Sequence, residues 1–235
     1  MKLKLIILFM IFYTNVSTSQ TYEIGVSFGG TNFIGDVGEV SFTNPDDYIS
    51  RSQISGGFIF KWNRSKRHSF RFSVLKLNTY ANDNLTNDPG RLNRGLAFTT
   101  DITELSLGIE YTFWDWDLHE FGNPFTPYLY TGPTYFFTNH QRLENNELVE
   151  RGMLSNIAIP MIFGVKYRFA FHWVISAEIG ARYTFTDNID GSTPNEINSD
   201  LNYQDFGNLN SNDWYLFSGI NLTYTFGRKP CYCKF

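Results

Sequence analysis

The chain has 235 residues, of which 42% are hydrophobic and 18% aromatic, an aromatic enrichment that favours β-strands. Its formal net charge of −4 argues against nucleic acid as a partner, because no basic surface is left to neutralise phosphates. The only cysteines are Cys231 and Cys233, so a fold held together by disulfides is excluded.

The first segment has the pattern of a secretory signal peptide. Lys2 and Lys4 precede an unbroken apolar run from Leu5 to Tyr13, and small residues, Ser17 and Ser19, stand before the expected cleavage point. The run is too short to cross a bilayer as a helix, which needs roughly 20 residues. We expect residues 1–19 to be removed and the exported chain to be either soluble or a membrane barrel.

Eight segments of the remaining chain alternate apolar and polar residues with a period of two. This is the pattern of strands that have one oily face and one polar face. In chain order the segments are Tyr22–Phe28, Ile54–Trp62, Phe70–Val74, Leu105–Phe113, 125–138, Ile157–Tyr167, Ile175–Phe185 and Trp214–Phe226. Segment 125–138 is aromatic on both faces and is the least regular, and Ile59 breaks the alternation of the second segment.

The connections between these segments alternate in length. The turns Asn63–Arg67 and Ala170–His172 are short, and Trp114–Pro124 is a longer connection on the same side. The opposite connections are long and rich in Asn, Asp, Gly and Thr, at 31–50, 79–100, 139–153 and 187–212. Long outer loops with short periplasmic turns are typical of outer-membrane barrels. We therefore predict an all-β, antiparallel transmembrane β-barrel of about eight strands over residues 20–227.

The polar faces favour a membrane barrel over a soluble one. They consist of Gly, Ser and Thr with a few charges of both signs, whereas a water-facing surface normally carries more Lys and Glu. The charges expected inside the barrel are Glu23, Lys61, Arg71, Glu104, Glu110, Lys166, Arg168, Glu178 and Arg182. Side chains can fill the lumen of an eight-stranded barrel, so a general pore is not expected.

No set of residues predicts catalysis, a cofactor or a metal site. The four histidines, His68, His119, His140 and His172, form no ligand motif. Two alternatives stay open: His140 with Ser155 as the pair of a lipid A hydrolase, and calcium binding by the loop 187–191. A surface adhesin that acts through the Asn- and Asp-rich loops is a third possibility.

Several stretches resemble one family. They are Tyr22-Glu-Ile-Gly-Val26, Asn32-Phe-Ile-Gly-Asp-Val-Gly38, Lys61-Trp-Asn63, Arg67-His-Ser-Phe-Arg71, Phe125-Thr-Pro-Tyr128, Ala158-Ile-Pro-Met161, Gly180-Ala-Arg-Tyr-Thr-Phe-Thr-Asp187, Asn212-Asp-Trp-Tyr215 and the final Thr223-Tyr-Thr-Phe-Gly-Arg-Lys-Pro-Cys-Tyr-Cys233. Together they resemble the PorG-like outer-membrane proteins of the type IX secretion system. The resemblance implies a small barrel in the cell outer membrane, in contact with lipid, that accompanies periplasmic secretion-ring proteins or lipoproteins. It implies no catalytic residues.

Two segments are candidates for docking such a partner, because exposed aromatic residues interleaved with charges suit protein interfaces. One is the long turn, with Trp114, Asp115, Trp116, Asp117 and His119. The other is a periplasmic tail, residues 228–235, with Arg228, Lys229, Cys231, Cys233 and Phe235. Whether the Cys-x-Cys pair forms an internal disulfide or a covalent or metal-assisted link to a partner stays open.

Overall fold

The computed structural model describes residues 21–39, 45–51, 53–119, 124–144, 147–192 and 211–227. The strands in these ranges are β1 (Thr21–Ile34), β2 (Ile54–Asn63), β3 (His68–Asn82), β4 (Ala97–Thr112), β5 (Phe125–Thr131), β6 (Thr134–Glu144), β7 (Glu147–Ala170), β8 (Trp173–Thr184) and β9 (Trp214–Phe226). Two short helices, α1 (Pro45–Ser50) and α2 (Pro89–Arg94), and a 3₁₀ turn (Asp83–Leu85) lie in the loops. None of the described helices is long and apolar enough to span a membrane.

The strands form one closed antiparallel ring. Except for β5 and β6, which do not pair with each other, each strand pairs with its chain neighbours, and β1 closes the ring by pairing with β9. β5 and β6 are two parts of a single barrel strand, because both pair with β4 on one side and β7 on the other without a change of register. They are separated only by Gly132 and Pro133, and Pro133 has no backbone N–H to donate. The barrel therefore has eight strands, as predicted.

The register fixes the tilt and width of the barrel. Pairs followed once around the ring from Thr31, through Phe217, Gly180, Ile162, Tyr130, Glu110, Ser69 and Asn63, return to β1 at Thr21. This displacement of ten residues over eight strands implies a strand tilt of roughly 40° and a backbone radius of roughly 8 Å. Such a lumen is narrow enough to be filled by side chains.

The barrel is apolar outside and polar inside over its inner half, the half that contains the start of β1 and the end of β9. On β4, Leu105, Leu107 and Ile109 face outward and are exposed, while Glu104 and Glu110 face inward and are buried. The predicted alternation is thus confirmed. Ile59, which breaks the alternation in β2, is one of the buried side chains of the lumen.

Several predicted loops are shorter in the structure, because β1 continues to Ile34, β3 continues to Asn82 and β4 begins at Ala97; the largest difference lies at residues 139–153. Most of the predicted loop 139–153 is a β-hairpin, because β6 continues to Glu144 and β7 begins at Glu147. A shift of register at residues 139 to 141 and a positive φ of 78° at Gly152 accommodate the bend of this hairpin. The predicted signal peptide (1–19) and the tail (228–235) lie outside the described residues.

The alternation inverts in the outer halves of β3 and β4. Leu75 and Leu77 are fully buried inside, while Lys76 faces outward and forms an ion pair of 2.9 Å with Asp101 on the neighbouring strand. On β4, Ile102 is buried on the inside. An apolar interior with a charged exterior is the arrangement of a water-exposed barrel, so these strands continue beyond the apolar band.

A cluster of buried apolar side chains, which we call the apolar layer, occupies the lumen at this outer end. Its buried members are Phe33, Val37, Leu75, Leu77, Ala81, Leu96, Phe98, Ile102, Phe136, Ala158, Ile189, Tyr215 and Phe217. Val37, Leu96 and Ile189 come from the loops, which fold over the mouth of the barrel. The outer end is therefore closed by a core of the kind found in soluble domains.

Candidate functional site

Charged side chains fill the inner half of the lumen, and we call them the ionic layer. Glu110 lies at its centre. The Glu110 carboxylate accepts a hydrogen bond of 2.6 Å from Lys166 Nζ and lies 2.8 Å from Lys61 Nζ. The three side chains come from β4, β7 and β2, and all are at most 1% exposed. Lys166 Nζ also lies 4.5 Å from the ring of Trp116. One buried carboxylate thus compensates two buried ammonium groups, and each ammonium group lies beside an aromatic ring, Lys61 beside Tyr128 and Lys166 beside Trp116.

Two arginine–glutamate pairs continue the layer toward the outer end. Arg71 donates two hydrogen bonds to Glu178, of 2.7 and 2.9 Å, and Tyr128 Oη donates a third to the same carboxylate. Such a fork of parallel bonds is the strong geometry for this pair.

The second pair has the same design. Arg182 donates to Glu104 through Nε and Nη2, at 3.3 and 3.2 Å, and Tyr215 Oη donates to Glu104 at 3.0 Å. Each buried carboxylate therefore has one guanidinium and one tyrosine hydroxyl as donors. The sequence reasoning did not identify these inward-facing tyrosines, although they occupy the polar phase of their strands.

All nine charges expected inside the barrel lie inside it, each at most 5% exposed. Glu23 accepts from Asn63 and Thr223, and Arg168 donates to the backbone oxygen of Leu118. The other seven charged groups form ion pairs with one another across the lumen. The ion pairs and hydrogen bonds join opposite walls of the barrel, and the side chains occupy the space between the walls.

The long turn between β4 and β5 closes the inner end from within. Trp116 and Leu118 are buried against Val174 of the barrel wall, and Trp116 is only 3% exposed. The backbone of the turn is held by hydrogen bonds from Trp116 N to Lys66 O and from Arg168 to Leu118 O. Trp116 was expected on an exposed docking surface; instead it points into the lumen, because the apolar ring gains more from packing beside Lys166 than from contact with water.

The other turn residues lie on the rim of the barrel. Trp114 is exposed and packs against Phe125 on the outer wall, with the two rings tilted by 46° at a centroid distance of 5.6 Å. Asp115 pairs with Arg67 at 2.7 Å, and Asp117 pairs with Lys66 at 2.8 Å. We call these four charged residues, Lys66, Arg67, Asp115 and Asp117, the inner rim.

Asp117 accepts hydrogen bonds from two groups of the inner end, the Lys66 ammonium and the His119 backbone N–H. Partial burial by itself raises its pKa, but the hydrogen bond from Lys66 and that from the His119 backbone N–H outweigh burial, so the pKa lies below its ordinary value. His119 is half-buried beside it. The tail residues Arg228, Lys229, Cys231, Cys233 and Phe235 lie outside the described residues.

Three buried aspartates hold the outer loops together in what we call the outer cap (residues 35–38, 83–96, 185–192 and 211–213). Asp190 accepts from the backbone N–H groups of residues 36, 37 and 192, and Asp213 accepts from that of Ile189. Asp83 accepts from the N–H groups of Gly38 and Leu96 and from Arg94. The loops are therefore tied to one another through carboxylates rather than through strand pairing.

Two of these carboxyl groups titrate abnormally. Burial, together with the nearby Asp36, raises the pKa of Asp190, and burial followed by the charge of Asp190 raises the pKa of Asp213 well above its ordinary value. The third aspartate, Asp83, forms an ion pair of 2.8 Å with Arg94.

The sequence alternatives gain no geometric support in the described ranges. Ser155 is exposed on β7, and the side chain of His140 lies outside the described residues. In the loop 187–191, Asp190 is occupied by backbone N–H groups, and Asp187 accepts a hydrogen bond from Ser192 at its backbone oxygen. Within the described ranges, no three His, Cys, Asp or Glu side chains are grouped so that they could hold a metal ion.

A closed antiparallel barrel with an apolar outer wall, a lumen filled by paired charges and two closed ends defines the class: this is an outer-membrane β-barrel protein. The chain belongs to the family described as Domain of unknown function (DUF6089), whose model matches residues 2–235. No curated protein gives a significant sequence match.

Solved structures with a similar fold are distant in sequence. The N-terminal β-barrel domain of Pseudomonas aeruginosa OprF has 11% identity and a TM-score of 0.45, with 89% of this chain and 98% of that chain covered. Ail of Yersinia pestis, in complex with the heparin analogue sucrose octasulfate, has 8% identity and a TM-score of 0.45, covering 88% and 99%. A major outer membrane protein from Thermus thermophilus has 12% identity and a TM-score of 0.44, covering 88% and 99%. The class assignment rests on the barrel itself.

Proposed function

We propose that this chain is a non-enzymatic outer-membrane anchor that accompanies a type IX protein secretion system and docks a periplasmic ring subunit or lipoprotein. The sequence resemblance to PorG-like proteins supports this role. The observation that carries it is the contrast between the lumen and the inner rim. The lumen is filled by mutually paired groups, whereas the rim presents charged side chains at the surface.

The rim has a composition suited to a charged protein partner. Asp115 is 60% exposed and Arg67 is 42% exposed on the side chain, although the two are paired. Exposed pairs of this kind contribute little to stability, so they are free to exchange partners at low cost. Charged residues at a rim set the rate and orientation of association more than they set affinity. Together with the tail 228–235, the rim is the proposed docking surface.

The decisive experiment reverses the charges of one exposed pair. The double variant Arg67→Glu, Asp115→Lys keeps an ion pair but inverts its direction, so the barrel is expected to fold normally while recovery of ring subunits from detergent-solubilised outer membrane falls. The matched control is Lys76→Asp, Asp101→Lys, which inverts the exposed pair on the opposite end of the barrel. Undiminished recovery with the first variant, or an equal loss with both, would contradict docking at the rim.

The tail is tested separately. Deletion of residues 228–235 is expected to reduce co-purification of the ring subunits, and undiminished recovery would argue against docking by the tail. A Cys231→Ser, Cys233→Ser variant tests the proposed covalent or metal-assisted link. If this variant migrates normally on non-reducing gels and supports secretion, the cysteine link is dismissed while docking at the rim remains to be judged by the charge reversal.

A further inference from the structure

One patch of the outer wall is covered by the chain itself. Asn32 and Leu216 belong to the outward-facing phases of β1 and β9, yet they are only 5% and 9% exposed. Beside them, a Cβ added to the outward-facing Gly30 would overlap the ring of Tyr48. Tyr48 belongs to α1, so the loop after β1 folds back over the outside of the barrel.

Helix α1 is fixed in this position by polar contacts. Tyr48 Oη lies 3.0 Å from Ser218 Oγ of β9, and the Tyr48 backbone oxygen accepts from Gln53 N. Gln53 in turn accepts from Thr31 N of β1 through its backbone oxygen. The close approach of the Tyr48 ring requires glycine at residue 30, since any side chain there would occupy the same space.

Ile49 on the same helix points away from the wall and is 74% exposed. The wall around Gly30 is apolar, since Gly30 pairs with Ile54 and the preceding outward residue Phe28 pairs with Ile220, each well exposed on the outer wall. Exposing a large aliphatic side chain to water costs free energy, about 25 cal/mol per Å² of apolar surface. The arrangement is therefore suited to an apolar surrounding.

The position of α1 along the barrel axis indicates what surrounds Ile49. Gly30 pairs with Ile54, the first residue of β2, so α1 lies where the β2 wall begins. The outward-facing Lys76–Asp101 pair on β3 and β4 marks where the outer wall becomes charged. The helix thus lies at the boundary between the apolar band and the charged outer part.

We propose that α1 is an interfacial anchor that inserts Ile49 into the outer leaflet of the membrane. The occupant of this surface is lipid, because the exposed face of α1 is continuous with the lipid-facing wall. Asp47 of α1 and Arg51, the residue that follows the helix, form an ion pair of 3.0 Å and remain at the level of the lipid headgroups. This is the arrangement of short amphipathic segments that lie in the membrane interface.

The test uses an environment-sensitive fluorophore on the full mature chain, refolded into phosphatidylcholine vesicles. Ile49→Cys is labelled in a background where Cys231 and Cys233 are replaced by serine. Phe28→Cys on the barrel wall is the lipid reference, and Leu92→Cys, an exposed leucine of the other short helix α2, is the matched aqueous reference. Brominated phosphatidylcholine quenches fluorophores in lipid, and iodide quenches those in water.

The label at residue 49 is expected to be quenched by brominated lipid at least half as strongly as the label at residue 28, and to resist iodide. If residue 49 instead behaves like residue 92, the helix lies in water and the proposal fails. Protection from both quenchers would show a protein contact and would also overturn it.

A second pair of variants tests how the anchor is held. Gly30→Ala is expected to displace the Tyr48 ring and to make the label at residue 49 accessible to iodide, while the barrel keeps its heat-modifiable migration on gels. Tyr48→Ser should have the same effect without altering the wall, so it replaces Gly30→Ala if that variant does not fold. An unchanged iodide response in a folded Tyr48→Ser variant would contradict anchoring through Tyr48.

Discussion

The two halves of the lumen are built on opposite principles, although the same strands form both. The inner half holds the ionic layer behind an apolar outer wall, and the outer half holds the apolar layer behind a wall that carries the exposed Lys76–Asp101 pair on β3 and β4. The change occurs within a few residues on β3, where buried Arg71 and Ser73 give way to buried Leu75 and Leu77. What changes is the surrounding of the wall. Where the outside is lipid the polar phase faces inward, and where it is water the apolar phase faces inward.

The same barrel strands are therefore stabilised by apolar packing in one half of the lumen and by ion pairs in the other. In the apolar layer each side chain contributes through burial and packing, so its contribution is nearly independent of its neighbours' chemistry. In the ionic layer each charge has a large desolvation cost that only its partner compensates. Removing one member of a pair should therefore cost more than removing both.

The largest effect is expected from breaking one buried pair. Glu178→Leu leaves Arg71 without its carboxylate and should lower the free energy of unfolding by about 3–5 kcal/mol, whereas the double variant Arg71→Met, Glu178→Leu should recover most of that loss. The measurement is urea unfolding in vesicles, followed by tryptophan fluorescence. Asp101→Asn, which breaks the exposed outer pair, is the control and should cost at most about 1 kcal/mol. Equal losses in the single and double variants would contradict the expectation that removing one member of a buried pair costs more than removing both.

The apolar layer should respond to a cavity. Leu77→Ala is expected to lower the free energy of unfolding by about 2–5 kcal/mol, because the buried site cannot collapse completely. Leu107→Ala removes the same atoms from the outer wall, where Leu107 is 58% exposed and lipid can fill the space, so its loss should be smaller. Both are measured by the same unfolding assay. If the two substitutions cost the same, the outer lumen is not a packed core.

The outer cap should weaken as the pH rises. Because the pKa of Asp213 is raised in the folded protein, its stabilising contribution is present below the ordinary carboxyl pKa and is lost as the pH rises through the raised value. Hydrogen exchange at the Ile189 amide, which donates to Asp213, should accelerate with pH beyond its intrinsic dependence. Asp213→Asn keeps an acceptor but carries no charge, so exchange in this variant should follow the intrinsic dependence. Parallel profiles for the two proteins would contradict the assignment.

The smallest effect is expected at the inner rim. Asp117→Asn should lower the free energy of unfolding by about 0.2–1 kcal/mol at neutral pH, because Lys66 is half exposed and the pair is screened by water. Since the pKa of Asp117 is lowered, the contribution of this pair is present above the ordinary carboxyl pKa and is lost as the pH falls through the lowered one. The same unfolding assay at neutral and at acidic pH measures this contribution. An equal loss at both pH values would contradict this account of the pair.

Much of the fold was predictable because a strand shows its two faces directly in the sequence. The period of two in Leu105 to Phe113 located the wall, and the inward phase located the nine buried charges. The inversion at Leu75, Lys76 and Leu77 lies beyond the predicted third segment, which ends at Val74. The hairpin of β6 and β7 falls in the predicted loop 139–153, because a composition rich in Asn, Asp, Gly and Thr is typical of turns.

The placement of Trp116 could not be predicted in the same way. Its neighbours Trp114, Asp115 and Asp117 lie on the rim, and a turn has no periodicity that separates an inward side chain from an outward one. The same holds for Tyr48, whose position depends on a glycine on another segment. Such contacts are decided by the shape of the space that distant residues leave.

The barrel, the phases of its strands and the identity of the charges in the lumen follow from the amino-acid sequence, because alternation along a strand is a local property. The pairing of those charges, the loop that closes each end and the place where the chain returns to the outer wall depend on the folded ring. Those contacts join residues far apart in the chain, and their geometry depends on the register and displacement of the closed ring.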